Sequence, residues 1–256
     1  MKLALVSDIH GNLPALEAVV ADIRRRGVDR IINLGDCLSG PLLPRETAQY
    51  LIAEGWPTLA GNHERQVLTD LRRGASDEYA HAQLTENEFG WMRKLPQTVR
   101  LSPEVFLCHG SPRSDCEYFL ETTADGIVRA ATPSEIDTRL AGEASPLIAC
   151  GHTHVPRSVR TRRGQLIVNP GSVGLQAYDD DRPFYHVIEN RSPDARYAIV
   201  ERTAERWIVS LLSVPYDYEP MAQLARRNGR LEWEHALLTG YMPPRDVPRE
   251  QNGTAN

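Results

Sequence analysis

Six short polar motifs hold the residues of this chain best suited to chemistry. They are Asp8-Ile9-His10, Gly35-Asp36, Gly61-Asn62-His63-Glu64, His109-Gly110, Gly151-His152-Thr153-His154 and Asn169-Pro170-Gly171-Ser172. Together they offer carboxylate, amide and imidazole donors enough for two metal ions. Taken singly they say little: a lone Asp-x-His is more often a turn, and a lone histidine such as His109 is more often simply hydrogen-bonded in its loop. His152 and His154 form a stronger pair, because alternate residues of an extended segment point the same way. A mixed nitrogen and oxygen donor set suits transition ions better than Mg²⁺ or Ca²⁺. Mn²⁺ heads the expectation, with Fe, Zn²⁺, Ni²⁺ and Co²⁺ as alternatives.

Each motif follows an apolar run: Leu3 to Val6, Ile31-Ile32, Thr58 to Ala60, Val105 to Leu107, Leu147 to Ala149 and Leu166 to Val168. Short apolar runs that stop at a glycine-containing turn predict buried strands, and α/β sheets collect their chemistry beyond the carboxyl ends of strands. Between them, Leu13 to Ile23 has helical spacing, with Asn12 as N-cap, Pro14 in the first turn and Gly27 as stop. Further helices are expected near Arg45 to Glu54, over the stretch from Arg65 to Arg100, near Ser134 to Leu140, and at Glu219 to Arg227 and Leu231 to Leu238. Pro183 to Glu189, Arg196 to Arg202 and Glu205 to Ser213 predict an antiparallel meander. His81 falls outside every motif and is expected to pack or face solvent.

The 256 residues form one expected domain over 1–242, since no linker divides them, with a Pro-rich tail at 243–256 expected to be disordered. A net charge of -5 gives no global attraction for nucleic acid or for membranes, so any anion must be drawn by a local site. The apolar run at the N-terminus is too short for a signal peptide, and none approaches a membrane span. Cys37, Cys108, Cys116 and Cys150 lack C-x-x-C spacing, so reduced thiols in a cytoplasmic protein are expected, and the sequon at Asn252 is taken as accidental.

The order D-x-H, G-D, G-N-H-E, H-G, G-H-x-H resembles the calcineurin-like metallophosphoesterase superfamily, over roughly residues 3 to 175. The opening Ser7-Asp8-Ile9-His10-Gly11-Asn12 resembles its small bacterial and archaeal phosphoesterases. The resemblance implies an α/β fold: a two-sheet mixed β-sandwich flanked by helices in four layers, here with a helical cap at the C-terminus. It implies that Asp8, His10 and His154 hold one ion, that Asn62, His109 and His152 hold the second, and that Asp36 bridges them. A hydroxide between the ions would attack phosphorus. It further implies that His63 faces the substrate and protonates the leaving oxygen.

Some residues have plainer readings. Glu64 is expected to cap the helix that begins beside it, and Asn169 to Ser172 to be a structural loop beside His154. Arg113 is a candidate contact to a substrate phosphate, with a surface role as its alternative. The superfamily's phosphoprotein phosphatases carry two further arginines, in G-D-x-x-D-R-G and just before G-N-H-E. Here those segments read Gly35-Asp36-Cys37-Leu38-Ser39-Gly40 and Ala60-Gly61-Asn62-His63-Glu64, without either arginine. The expectation is therefore a small phosphodiester or nucleotide substrate. A phosphomonoester or phosphoprotein phosphatase is the alternative. A non-catalytic interaction module should have lost ligands that this chain keeps.

Overall fold

A computed structural model describes residues 1–69, 73–124 and 127–244. Alternation along the strands explains the architecture. In β1 (Lys2–Val6), Leu3 and Leu5 point one way and Ala4 and Val6 the other, and all four are buried. Such a strand needs apolar material on both faces. The first sheet runs β13 (Trp207–Val214), β12 (Ala195–Arg202), β1, β2 (Arg30–Asn33), with strands numbered in chain order; β1 is parallel to β2 and antiparallel to β12. The second sheet runs β3 (Thr98–Ser102), β4 (Val105–Cys108), β7 (Leu147–Ala149), β9 (Leu166–Asn169), β8 (Arg157–Arg160), and its three central strands are parallel.

The sheets pack face to face. Leu3, Leu5, Ile32 and Val200 of the first meet Val105, Leu107, Leu147 and Val168 of the second in one apolar layer. Ala4 and Val6, on the opposite face of β1, pack against Leu16, Val19 and Ile23 of α1 (Leu13–Arg26). On the far face of the second sheet, Phe106, Ile148 and Ile167 meet Ile136 and Leu140 of α6 (Pro133–Leu140). The result is the expected helix–sheet–sheet–helix sandwich. Asn12 caps α1 by accepting from the Ala15 N–H, and Gly27 ends it in the left-handed region.

The remaining helices are α2 (Pro44–Glu54), α3 (Asn62–Leu68), α4 (Ala75–Gln83), α5 (Glu86–Met92), α7 (Glu219–Arg227) and α8 (Leu231–Thr239). Two hairpins complete the fold: β5 (Glu121–Ala124) with β6 (Ile127–Ala130), and β10 (Ala177–Asp180) with β11 (His186–Glu189). His81 packs, with its ring centroid 4.9 Å from that of Phe89. All four cysteines are free, and Cys116 alone of them is exposed. Among the described residues no helix is long and apolar enough to cross a membrane.

Three expectations are corrected. Thr58 to Ala60 is no strand: it makes one bridge to Asn33, and the Ala60 N–H turns away to the Pro96 carbonyl. The helical reading of Arg65 to Arg100 fails at its end, where Thr98–Ser102 forms the outer strand of the second sheet; its alternation is masked by polar outward residues. The three-strand meander breaks at its first member, because β11 pairs with β10 in a separate hairpin while β12 and β13 join the first sheet. The sequon and residues 245–256 of the expected tail lie outside the described residues.

The shared core makes a contrast that denaturation can measure. Leu5→Ala should cost about 2–5 kcal/mol in urea unfolding. Leu211, 39% exposed on outer strand β13, should cost about 1 kcal/mol or less on the same change. Equal losses would mean that the two sheets do not share the load.

Candidate metal centre

The site lies where parallel strands end. Asp8 and His10 follow β1, Asp36 follows β2, His109 follows β4, His152 and His154 follow β7, and the Asn169 turn follows β9. Backbone hydrogen bonds lace the loops within each sheet, Asp8 N–H to Gly35 O (3.0 Å), His10 N–H to Asp36 O (3.1 Å) and Gly151 N–H to His109 O (2.7 Å), and Val173 N–H to Ser7 O (2.9 Å) ties one sheet's loops to the other's. The loops turn sharply. Asp8 (φ 55°), His10 (53°), Asp36 (54°), His152 (68°) and His154 (58°) all adopt left-handed backbone, and they are five of the seven non-glycine residues that do so among the described residues. Asp and His tolerate this region better than most side chains, yet each such position is strained. Glycines permit the crowding: a Cβ on Gly61 would collide with Asp36 Oδ1, and one on Gly151 with Ser7 Oγ.

Backbone carbonyls fix the imidazoles. His10 Nδ1 donates to Ser39 O (2.7 Å), His109 Nδ1 to Leu34 O (2.8 Å) and His154 Nδ1 to Leu175 O (2.7 Å), while His152 lies beside the Cys116 backbone. A carbonyl only accepts, so Nδ1 of those three rings must carry the proton, and in the neutral ring Nε2 is left as a lone pair. These Nε2 atoms converge. Ligand atoms of Asp8, His10 and His154 lie within 4.8 Å of one another, as do those of Asp36, His109 and His152. Asn62 Oδ1 is 3.2 Å from His109 Nε2, on the side of the second group. His109 Nε2 is also 3.0 Å from Asp36 Oδ2 and 4.0 Å from Asp8 Oδ1, so the two groups adjoin.

The donor set fits cations. His10 Nε2 and His154 Nε2 face each other at 3.1 Å, and with both Nδ1 atoms donating elsewhere, two neutral rings would aim lone pairs at each other. Burial pushes the His10 imidazole down to about 4 and that of His154 well below its ordinary value, so neither supplies the missing proton near neutrality. Burial likewise pushes His152 down to about 3. Burial, with the charge of Asp36 adding to it, raises the Asp8 carboxyl to about 7 against the opposing pull of His109. At Asp36 and His109 burial is overcome by their mutual attraction: Asp36 is held well below the usual carboxylate range and His109 is raised to about 10. Divalent cations would resolve both the facing lone pairs and the crowded carboxylates.

His63 stands apart from both groups. Its side chain keeps 28% exposure, its Nδ1 lies 2.7 Å from Asp77 Oδ1, and its backbone N–H donates to Asp36 Oδ1 at 2.9 Å. Burial would lower its pKa, but the charge of Asp36 and the hydrogen bond and charge of Asp77 raise it to about 9. Asp77 is what sequence reasoning missed. It is buried in the first turn of α4, where an acidic residue reads as ordinary dipole compensation, and nothing in the sequence links it to His63.

Glu64 does more than cap α3. Its carboxylate accepts from Gly61 N–H (2.7 Å) and also from Asp36 N–H (2.9 Å) and Cys37 N–H (2.8 Å), fastening the Asp36 loop to the helix that carries Asn62 and His63. The Asn169 turn is structural: Asn169 Nδ2 donates to Gly151 O, and the Ser172 hydroxyl donates to Asp8 O. Asn12 adds to its cap a hydrogen bond to Gly174 O and one to the Tyr216 hydroxyl. Arg113 is held in an ion pair by Glu117, further along the same loop.

Comparison with known proteins agrees with this geometry. The model of the calcineurin-like phosphoesterase superfamily domain matches residues 1–192, and the chain belongs to that superfamily. It is thus a hydrolytic phosphoesterase of a family that uses divalent metal ions. The phosphodiesterase YfcE of Escherichia coli is 30% identical over 186 residues, 68% of this chain and 80% of the relative. An uncharacterized protein of Methanocaldococcus jannaschii is 24% identical over 249 residues, 90% of this chain and 94% of its own length. Among solved structures, a metallophosphoesterase from Sphaerobacter thermophilus superposes with a TM-score of 0.70 at 25% identity, covering 91% of this chain and 100% of the other. A hypothetical protein from Pyrococcus horikoshii shares the fold at TM-score 0.74 and 19% identity, covering 94% and 99%.

The Asp77 contact has a direct spectroscopic test. In metal-free protein, Asp77→Asn should move the His63 titration, followed by imidazole NMR, down from about 9 toward its ordinary 6.5. An unchanged titration would mean that Asp77 does not set the state of His63.

Proposed function

We propose that the chain is a dinuclear metal-dependent phosphodiesterase acting on a small phosphodiester or nucleotide. The observation that carries the metal reading is the facing Nε2 pair of His10 and His154, each ring fixed by a carbonyl so that its lone pair points inward. Asp8, His10 and His154 would hold one ion, and Asn62, His109 and His152 the other, with Asp36 shared between them. Mn²⁺ is the proposed ion. Two divalent ions bound there would supply Lewis-acid polarisation of a phosphoryl oxygen and a water acidic enough to attack near neutral pH.

The chain's own groups do the rest. His63 donates its Nδ1 proton to Asp77, which leaves Nε2 to carry the second proton toward the leaving oxygen. Asp77 orients the ring and, with the charge of Asp36, keeps it protonated. Asp36 accepts from the His63 backbone N–H and so sets the distance between that ring and the ion groups. The diester preference is supported by what surrounds the phosphate position. Both arginines of the phosphoprotein phosphatases are absent, and Arg113, the candidate replacement, already has its charge balanced by Glu117. A diester carries one charge and two free oxygens, a lighter demand than that of a monoester. YfcE, a relative named as a phosphodiesterase, points the same way. The free thiols Cys37, Cys108, Cys116 and Cys150 suit a reducing compartment, and a cytoplasmic location is proposed.

Chelation should abolish hydrolysis and Mn²⁺ should restore it, with Asp36→Asn losing the most activity because it weakens both ions. Metal affinity should tighten as pH rises from 6 to 8. In metal-free protein His109 (raised to about 10) and Asp8 (about 7) hold protons that an entering ion must displace. Calorimetry with Mn²⁺ across that range measures the effect, and an affinity indifferent to pH would remove these two residues from the ligand set.

The substrate reading is tested by comparing an aryl phosphodiester with the matching aryl phosphomonoester, with Mn²⁺ at neutral pH. A higher kcat/KM on the diester is expected. A clear monoester preference that disappears in Arg113→Ala would overturn the diester reading. His63→Gln should lower kcat by about 10²–10⁴ on poor leaving groups, the scale of general acid catalysis, and by less on good ones. Equal losses on both would make His63 a shaping residue only.

A further inference from the structure

A cleft of about 360 Å³ opens beside the metal centre on the side of Asn62 and His152. Its walls are Gln66 on α3, the segment Cys116 to Tyr118 that follows the His109 loop, and residues of the β5–β6 and β10–β11 hairpins. The volume is at the lower end for small-molecule sites. It has room for one sugar-and-base-sized group beyond the phosphate.

The wall chemistry narrows the occupant. Apart from Cys116, Tyr118 and Pro183, every lining side chain is charged or hydrogen-bonding. An alkyl chain placed there would strip water from these groups and give nothing back. A group bearing hydroxyls, which both donate and accept, would satisfy them. Glu121 is 1% exposed and closed into the wall: its Oε1 is paired with Arg157 Nε at 2.5 Å, and Thr153 lies beside the carboxylate.

The β10–β11 turn adds a second kind of surface. Arg182 reaches the cleft and is exposed, with no hydrogen-bond or ion-pair partner for its guanidinium among the described residues. Pro183 lines the cleft beside it, and the chain continues into Phe184, which is 56% exposed. An arginine on the cleft wall, with an exposed aromatic ring two residues further along the same turn, makes the kind of surface on which nucleobases stack.

We propose that this cleft is a nucleoside subsite: the phosphoester lies at Asn62 and His152, sugar hydroxyls engage the polar walls, and the base stacks at the turn bearing Arg182 and Phe184. The proposal rests on the phosphodiesterase reading and specifies its substrate as a nucleoside phosphodiester.

Two esters with one leaving group test it on the full chain with Mn²⁺: thymidine 5′-(p-nitrophenyl phosphate) and methyl p-nitrophenyl phosphate. They differ only in the arm that stays on phosphorus. The nucleoside ester should have a kcat/KM higher by about tenfold, the scale of one base–aromatic stack. Arg182→Ala and Phe184→Ala should each pull that ratio toward one, through KM and not kcat. Both residues are exposed, so melting temperatures should stay near that of the parent and exclude misfolding as the cause. Thymidine itself, titrated calorimetrically into metal-free protein, should bind, and bind more weakly to both variants. If both esters turn over at equal kcat/KM, the nucleoside subsite is wrong and the phosphodiesterase reading stands. If neither turns over while an aryl monoester does, the phosphodiesterase reading is wrong. Thymidine binding then decides the subsite alone, and its absence overturns it.

Discussion

The arrangement of this protein follows from where four imidazole protons go. Three of the rings donate an Nδ1–H hydrogen bond to a main-chain carbonyl, at Ser39, Leu34 and Leu175, and the fourth, His152, lies beside the backbone of Cys116. At His10 and His154 such a bond leaves Nε2 facing inward as a bare lone pair, while His109 turns a protonated Nε2 on Asp36. Lone pairs that converge at about hydrogen-bonding distance repel unless something positive lies between them, so the loops must be held against that repulsion by the rest of the fold. The anchoring carbonyls sit on loops from both sheets. Tautomer, loop shape and sheet packing are therefore one problem.

The holding is done in layers. Glu64 collects three main-chain N–H groups with one buried carboxylate, and so locks the Asp36 turn to the start of α3. Ser172 accepts the Leu175 N–H and donates to the Asp8 carbonyl, joining the β9 turn to the β1 turn and to the carbonyl that orients His154. Glycine at 61 and 151 allows neighbouring loops to approach until backbone meets carboxylate. Five left-handed residues in one small volume cost of the order of 1–3 kcal/mol each. The sandwich core beneath them, with strands apolar on both faces, offsets that cost.

The strand-and-loop logic of the site was legible because it is local. An apolar run that stops at a polar turn is read in six positions, and the resemblance carried by those motifs supplied every candidate ligand. Glu64 was legible as a cap for the same reason, but its two extra bonds were not, since they cross 27 and 28 residues of chain. Asp77 was invisible for a deeper reason: it meets His63 only because α4 folds back beside α3, and its local setting is that of any acidic residue in a first turn. The strand at Thr98–Ser102 was lost because an outer strand needs only one apolar face, and polar residues on the other resemble a helical surface. The meander failed because antiparallel pairing partners cannot be read from strand propensity alone.

The last sixty or so residues change what counts as the working unit. The superfamily match ends at residue 192, yet β12 lies hydrogen-bonded along β1, and Ala198, Val200 and Trp207 fill the layer between the sheets. Beyond them, Asn228 bonds Pro41 O and the Tyr79 hydroxyl, Arg230 bonds Ser76, and the Trp233 ring stands 6.1 Å from that of His10. Those contacts grip the loop that anchors His10 and the helix that carries Asp77. The span of the family match and the span of the packed sandwich thus have different borders here. A gene segment cut at the edge of the recognisable motifs would keep every candidate ligand and lose the frame that aims them. Insertions or fusions can therefore be accommodated past α8 far more readily than between the motifs and β12.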